Sequence, residues 1–506
     1  MTAIAEREDA AVSVPSVAPD VRDRLAPPAP DDRLRGWIVT GAVVAIAAVL
    51  RLVGLVHPRG MIFDEVYYAQ DAWDLLHHGV EWEDRNNTGA FVAHPPLGKW
   101  CIALGEWLFG FNEFGWRISA VVASLISVLL IVRIARRLFG STVLAGVAGL
   151  LMALDGMAFV TGRTALLDVF LMVFVLAGFY FLIRDREQRR RRWLSALDNG
   201  LDPKRRRPGF AVPWWRLAAA VMLGCALGVK WSAVWYIAAF MLLIFVWEWR
   251  ARRSVGVPHA FRDTLIDELG WLFAFGMIVA LVYLATWTGW FVTDDGWGRH
   301  WAAEHGQSEP PVWGALSNLI KYHQEVLEFH EGLSSPHTYQ SWPWQWLLDA
   351  RPVAYYWSTE VDCGAGSCAA EVLLLGTPLL WWSFIPALVA IIVWGLAKRD
   401  WRSWALLVAV AAGFLPWLNY PDRTMFYFYA LPAEPFLILA VVFALGMIGG
   451  YSRTSTVERR LTGAFIVAGY VTVIALCFAY FYPIYTGMAI PYDEWYARMW
   501  LDKLWI

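Results

Sequence analysis

Apolar positions run along this chain in blocks of about 17–25 residues, the length a helix needs to cross a bilayer. Eleven blocks are predicted, near residues 37–56, 115–137, 142–161, 164–183, 213–230, 232–248, 269–290, 376–397, 403–419, 424–448 and 461–482. Basic clusters between them set the direction of the path. RIARR (133–137), RDREQRRRRW (184–193) with PKRRR (203–207), RARR (250–253), KRDWR (398–402) and RTSTVERR (453–460) all fall on one side of the alternation. Lys and Arg stay on the cytoplasmic side, which puts the N-terminus inside and the C-terminus outside. Two outer segments are long, about 57–114 and 291–375. Within the first, HPPLGKWCIALGEWLFG (94–110) is apolar but short and amphipathic, and is predicted to lie along the interface. Counting it as a span would invert every later basic loop.

Composition fits this pattern: 58% of residues are hydrophobic and only 17% charged. Soluble domains carry about 25% charge. The net charge of −2 hides the local asymmetry. Residues 1–36 are polar and Pro/Ala-rich, lack an early apolar core, and read as a disordered cytoplasmic tail rather than a signal peptide. Residues 37–482 form the membrane domain and 483–506 an extracytoplasmic tail. Of five Cys, Cys363 and Cys368 share a polar loop that an oxidising compartment would allow to close as a disulfide. No internal repeat is evident, unlike repeat-built transporters. There is no Walker A motif, no GxGxxG in a βαβ setting, no HExxH and no nucleophile elbow. The basic clusters are topology signals, not a nucleic-acid face.

The candidate chemistry gathers at the outer ends of the blocks. FDEVYYAQDAW (63–73) places Asp64 and Glu65 where the chain leaves the membrane. A helix over 64–73 would put Asp64, Tyr67 or Tyr68, and Asp71 on one face. The acids either cap that helix, act as a general base shielded from water, or chelate a metal with outside help. His94 and Lys99 in HPPLGK either hold a phosphate or, for Lys99, snorkel to water. Arg117, in WRIS, is an interfacial anchor or a phosphate ligand. Arg163 and Asp168 lie in GRTALLDVFLMVF. Asp168 is expected about a turn and a half into a span, where an acid is costly. Its i,i+5 spacing from Arg163 makes Arg117 the better partner, in a structural pair or a substrate contact. Lys230, in GVKWSAVWY, and Arg423, in NYPDRTMFYFY, sit at outer turns suited to phosphate. The stretch 322–357 is too aromatic for a linker. His337, Tyr339, Trp342 and Arg351 there suit sugar stacking and peptide docking, or belong to an aromatic belt on the membrane.

Taken together, DE after the first span, HPPLGKW, RTALLD, GVKWSAVWY, SSPHTYQSWPWQWLLDARPVAYYW and RTMFYFY resemble the bacterial protein O-mannosyltransferases. The resemblance covers about 37–500; the sequence lacks the luminal β-trefoil domain of the eukaryotic relatives. It implies an all-α GT-C glycosyltransferase with a polyprenyl-phosphate mannose donor and a Ser or Thr acceptor on an exported protein. It implies Asp64 as catalytic base and Glu65 as its support. A hydroxyl of very high pKa needs a base, and the departing lipid phosphate needs positive charge. His94, Lys99, Arg117, Arg163, Lys230 and Arg423 are the candidates to supply it. Attack on a β-linked donor would invert to an α-mannoside. The phosphate leaves as an anion, so no metal or other cofactor is expected. Membrane lipids and export machinery are the remaining expected partners, and the high-GC composition points to a bacterial plasma membrane. A transferase of the same architecture acting on lipid A or a cell-wall glycan would share the DE pair. A transporter would instead carry charges near the midplane.

Overall fold

The computed structural model describes residues 19–26, 32–450 and 456–506. Residues 1–18 and 27–31 of the expected tail, and 453–455 of the last basic cluster, lie outside them. Helix α1 (Pro19–Leu25) corrects the expectation of disorder for part of that tail. Its Leu25 is fully buried beside Trp193, Ala251 and Val255, an apolar anchor that a short polar segment conceals in sequence.

The bundle continues with α2 (Arg33–Leu52), α3 (Glu65–His78), α4 (Leu97–Phe109), α5 (Glu113–Phe139), α6 (Thr142–Ala153), α7 (Gly156–Thr161), α8 (Asp168–Asp198), α9 (Trp214–Leu227), α10 (Ala233–Ser254) and α11 (Ala260–Thr286). Helices Pro378–Lys398, Trp401–Phe414, Glu434–Ile448 and Val457–Thr486 complete it. All eleven predicted blocks fall on helix, but among the described residues eight helical segments are long and apolar enough to cross a membrane. The shortfall has local causes. The 142–161 block breaks in two at Asp155, whose carboxylate accepts from the amides of Met157 (2.9 Å) and Ala158 (3.1 Å) and so starts a new helix. Helix α9 is a short apolar helix. Helix α8 begins at Asp168 and runs on through the basic cluster to Asp198. Asp168 therefore opens its helix instead of lying within a span.

Two segments centre the bundle: the apolar windows of α5 and of Tyr427–Ile448 are 61% and 78% buried, against 11% for α11. Helix α4 has 13 residues, too few to cross. It exposes Leu104, Trp107 and Leu108 and buries Lys99 and Glu106 on its other side, as an interfacial helix would. The 291–375 segment is folded, with helix Trp313–Gly332 and an antiparallel hairpin pairing Val353–Ser358 with Cys368–Leu374. Cys363 and Cys368 are disulfide-bonded, and Ile490–Pro491 adds a short third strand.

Candidate active site

The site is built where the N-terminal ends of α3, α8 and α10 meet. Phe63, just before α3, has φ 48°, a conformation an L side chain holds only where its surroundings impose it. Its ring stacks on Tyr355 (4.4 Å between centroids) and meets Phe428 edge-on at 5.9 Å. This turn sends Asp64 and Glu65 to opposite fates.

Glu65 is completely buried. Its carboxylate accepts from Arg117 Nε (2.9 Å) and Nη2 (2.8 Å), and from the amides of Ile62 and Ala165 (both 3.0 Å). Arg117 spends its remaining donors on the carbonyls of Leu55, Pro58 and Gly60 at 2.9–3.1 Å. Arg117 is thus paired with Glu65, not with Asp168, and has no donor left for a phosphate. Arg163 is likewise committed. It donates to the carbonyls of Leu50 (3.1 Å), Val53 (2.7 Å) and Gly54 (2.7 Å), covering the free carbonyls and negative end of α2. Gly54, with φ 64°, makes the turn that presents the last of them. Lys99 is buried against Glu81 and, at 3.4 Å, Asp71, so it neither snorkels nor faces a ligand. Burial pushes the Asp71 carboxyl up to about 6 despite that lysine.

Asp64 has a different environment. It occupies the first position before α3, yet its side chain makes no cap bond. It is half-buried and, among the described residues, nothing hydrogen-bonds its carboxylate. Burial pushes its pKa up to about 6; Lys230 pulls it down and Asp168 pushes it up. Lys230 and Asp168 are themselves joined at 2.7 Å. The Gly228–Ser232 turn between α9 and α10 delivers Lys230, and the start of α8 delivers Asp168. Lys230 Nζ also lies 5.6 and 5.8 Å from the ring centres of Phe428 and Tyr429.

Beside this pair lies a cavity of about 250 Å³ lined by His94, Lys230, His330, Arg423 and Tyr429, with apolar walls from Leu327, Trp235 and Trp417. Arg423 donates to the His330 carbonyl and lies 3.3 Å from His330 Nδ1. Among the described residues, Arg423 Nε is buried without a partner. His330 Nε2 contacts the Ala93 carbonyl at 2.9 Å, which fixes its proton on that nitrogen. Burial, reinforced by Arg423, lowers His330 to about 4. Burial, reinforced by Lys230, holds His94 well below the ordinary histidine value. Both shifts disfavour the charged imidazolium, so His94 is placed to offer an N–H.

Of the phosphate candidates, the fold brings together His94, Lys230 and Arg423. Residues the sequence reading did not single out complete the site. Tyr355 is buried with no partner for its hydroxyl and lies within electrostatic reach of Asp168 and Asp64. His330 and Tyr429 line the cavity. Their signal in sequence was only their place in the aromatic-rich 322–357 and 419–429 stretches. The remaining acceptor candidates sit elsewhere. Arg351 donates to the carbonyls of Thr338, Lys503, Leu504 and Ile506, pinning the C-terminus. Trp342 donates to Pro421 (3.1 Å). His337 is exposed and accepts from the Tyr339 amide at 3.1 Å, while Tyr339 lies beneath the Arg351 guanidinium.

Comparison with known proteins gives a consistent result. Residues 93–198 match the family model described as dolichyl-phosphate-mannose-protein mannosyltransferase, and 315–505 match the C-terminal four-span region of protein O-mannosyltransferases. A polyprenol-phosphate-mannose–protein mannosyltransferase of Mycolicibacterium smegmatis is 41% identical over 94% of this chain and 94% of its own length. Its counterpart in Corynebacterium glutamicum is 36% identical over 92% and 93%. An arabinosyl transferase of Pseudomonas aeruginosa that uses an undecaprenyl-phosphate sugar matches 51% of this chain at 31% identity. Among solved structures, the Saccharomyces cerevisiae Pmt1–Pmt2 complex bound to its sugar donor superposes with a TM-score of 0.71 at 16% identity, over 95% of both chains. ArnT from Cupriavidus metallidurans gives 0.55 at 15%, over 90% of this chain and 77% of its own. These likenesses establish the GT-C glycosyltransferase fold.

Proposed function

The chain belongs to the polyprenol-phosphate-mannose–protein mannosyltransferase family, and on that premise we propose that Asp64 is the general base of mannosyl transfer to a Ser or Thr hydroxyl. The observation that carries the reading is the position of Asp64: a half-buried, unbonded carboxylate with its pKa pushed up to about 6, beside a Lys230–Asp168 pair at the edge of a cavity. A carboxylate in that state is ionised near neutral pH yet basic enough to take a proton.

The acceptor oxygen attacks C1 of mannose while Asp64 removes its proton. The bond from C1 to the phosphate oxygen breaks, and the lipid phosphate leaves with the electron pair. Lys230, the unspent Arg423 Nε and a His94 N–H supply its electrostatic support. Asp168 holds Lys230 in place and raises the basicity of Asp64. Front and back faces of the sugar are then occupied by leaving group and nucleophile, so a β-linked donor yields an α-mannoside. The donor lipid fits the apolar cavity wall, where Val234, Trp235 and Tyr420 remain exposed. The basic loops lie towards the opposite end of the bundle, which supports reading this end as the outer face of a plasma membrane.

The test is transfer from labelled polyprenyl-phosphate mannose to a Ser/Thr-rich peptide in membranes. Asp64→Asn at matched protein level should lose transfer, and a chelator should not reduce it in the wild type. Equal activity of Asp64→Asn and wild type would remove the base assignment. Label appearing on lipid or glycan instead of peptide would overturn the acceptor assignment.

A further inference from the structure

At the end of the bundle opposite Asp64 lies a second, larger cavity of about 1170 Å³, bounded by α1, the far half of α8, the end of α10 and the turn between helices Pro378–Lys398 and Trp401–Phe414. Eight cationic side chains line it against two carboxylates. One of those, Asp400, is already consumed by Arg402, through Nε to Oδ1 at 3.0 Å and Nη2 to Oδ2 at 2.5 Å.

A basic loop that serves only to fix topology needs no more than solvated charge near the membrane. This cavity differs because two of its cations are buried. Arg186 is 6% exposed and Arg190 7%. They lie one turn apart on α8, where like charges repel. Arg190 donates to the Arg24 carbonyl (3.2 Å), but its Nε is buried without a partner. Arg186 packs on the Trp401 ring at 3.4 Å and, among the described residues, has no hydrogen bond or ion pair; its Nε is also buried unpartnered. A buried guanidinium left in this state is costly. The contrast with adjoining positions on the same helix is sharp. Asp185 binds Arg216 at 2.9 Å and Arg189 binds Glu268 at 2.6 Å, so the charges pointing the other way from α8 each have an ion-pair partner, which Arg186 and Arg190 lack among the described residues.

We infer that this cavity is a binding site for a phosphate-bearing anion, separate from the transfer site. Arg186 and Arg190 form its floor and Arg250, Arg253, Lys398 and Arg399 its rim. A phosphate group supplies the acceptor oxygens that the buried guanidinium nitrogens lack. Two sources share this chemistry: a phospholipid headgroup and a soluble polyphosphate. Trp249, Trp394 and Trp401 in the cavity wall are residues that favour headgroup depth. Exposed Val389, Val393 and Leu396 lead from the rim along the adjoining helix, a surface for acyl chains.

The test titrates delipidated full-length protein in detergent with phosphatidylglycerol, phosphatidylcholine or inorganic pyrophosphate and reads bound mass by native mass spectrometry. Wild type is compared with Arg253→Gln/Arg399→Gln, which alters only exposed rim residues, with Arg186→Gln, and with Arg191→Gln as a basic control outside the cavity. Selective phosphatidylglycerol uptake that drops roughly fivefold per rim cation removed, with Arg191→Gln unaffected, identifies a headgroup site. Saturable pyrophosphate binding with the same dependence identifies a soluble anion. The inference is overturned if neither probe binds wild type selectively, if the rim variant binds like wild type, or if Arg191→Gln loses as much. Arg186→Gln, if folded, should lose binding and gain thermal stability, because it removes an unmatched buried charge. Mannosyl transfer plays no part in the readout.

Discussion

Behind the start of α3 lies a closed seam made by Glu65, Arg117 and Arg163; in front lie Asp64 and, beside it, the cavity lined by Lys230, Asp168 and Arg423. The two regions use the same side-chain chemistry. In the seam each of these charged groups is matched by carboxylates, amides or carbonyls between 2.7 and 3.1 Å. Those contacts tie α2, α3, α5 and the loop before α8 into one unit. On the cavity side, among the described residues, Asp64 has no side-chain hydrogen-bond partner and Arg423 keeps an unspent donor. Charge that is fully matched positions the backbone; charge left partly unmatched beside a cavity is available to a substrate. The seam holds the turn that aims Asp64, so the two regions depend on each other in one direction only.

The strongest way to break this comparison is Asp64→Asn. Loss of a general base costs roughly 10² to 10⁴ in rate, so peptide mannosylation should fall by at least about a hundredfold with no change in melting temperature. A stability loss of similar size would instead place Asp64 in the seam. Glu65→Gln should behave in the opposite way. It leaves Arg117 buried without its counter-ion, at about 3–5 kcal/mol. The folded yield and melting temperature should drop, while transfer per folded molecule changes much less.

Lys230→Gln removes charge from the departing phosphate and is expected to lower kcat by roughly 10²-fold, with Asp168 then unpaired. Lys230→Arg should recover part of that loss if charge is what matters. The pH profile gives a finer test. With Asp64 as the proposed base, the rate should fall as pH drops through about 6, approaching tenfold per pH unit below it. Asp168 pushes that pKa up and Lys230 pulls it down. Asp168→Asn should therefore move the acid limb to lower pH while reducing the maximal rate; a limb that stays in place would dissociate Asp168 from Asp64. The smallest effect is expected for Arg351→Ala. Its contacts are carbonyls around the C-terminus, worth about 1 kcal/mol, and the KM for acceptor peptide should be unaltered.

Particular residues show where the sequence reading ended. The face shared by Asp64, Tyr68 and Asp71 was readable because helical spacing is a local property. The shortness of the helix in 94–110 was readable from its apolar length, and the folded state of 322–357 from its aromatics. The Arg117–Asp168 pairing failed because it rested on neighbouring spans in sequence, whereas the turn between α9 and α10 supplies the lysine that reaches Asp168 at 2.7 Å. The sequence leaves Lys99 either on a phosphate or interfacial, because it does not show that Glu81 and Asp71 close over it. His330 carried no motif, and Tyr355 only its place in the SSPH…AYYW block; strand pairing and helix packing bring them to the site from more than 250 residues beyond α3.

The sequence by itself determined the membrane class, the placement of the helical blocks and the end of the bundle where acids and cations gather. Those features follow from apolar length, periodicity and charge, which each segment carries alone. Tertiary structure decided which charges are matched and which are left for chemistry. Matching requires partners from α3, α5, α8 and α10 at hydrogen-bond distance, and no single segment contains that distance.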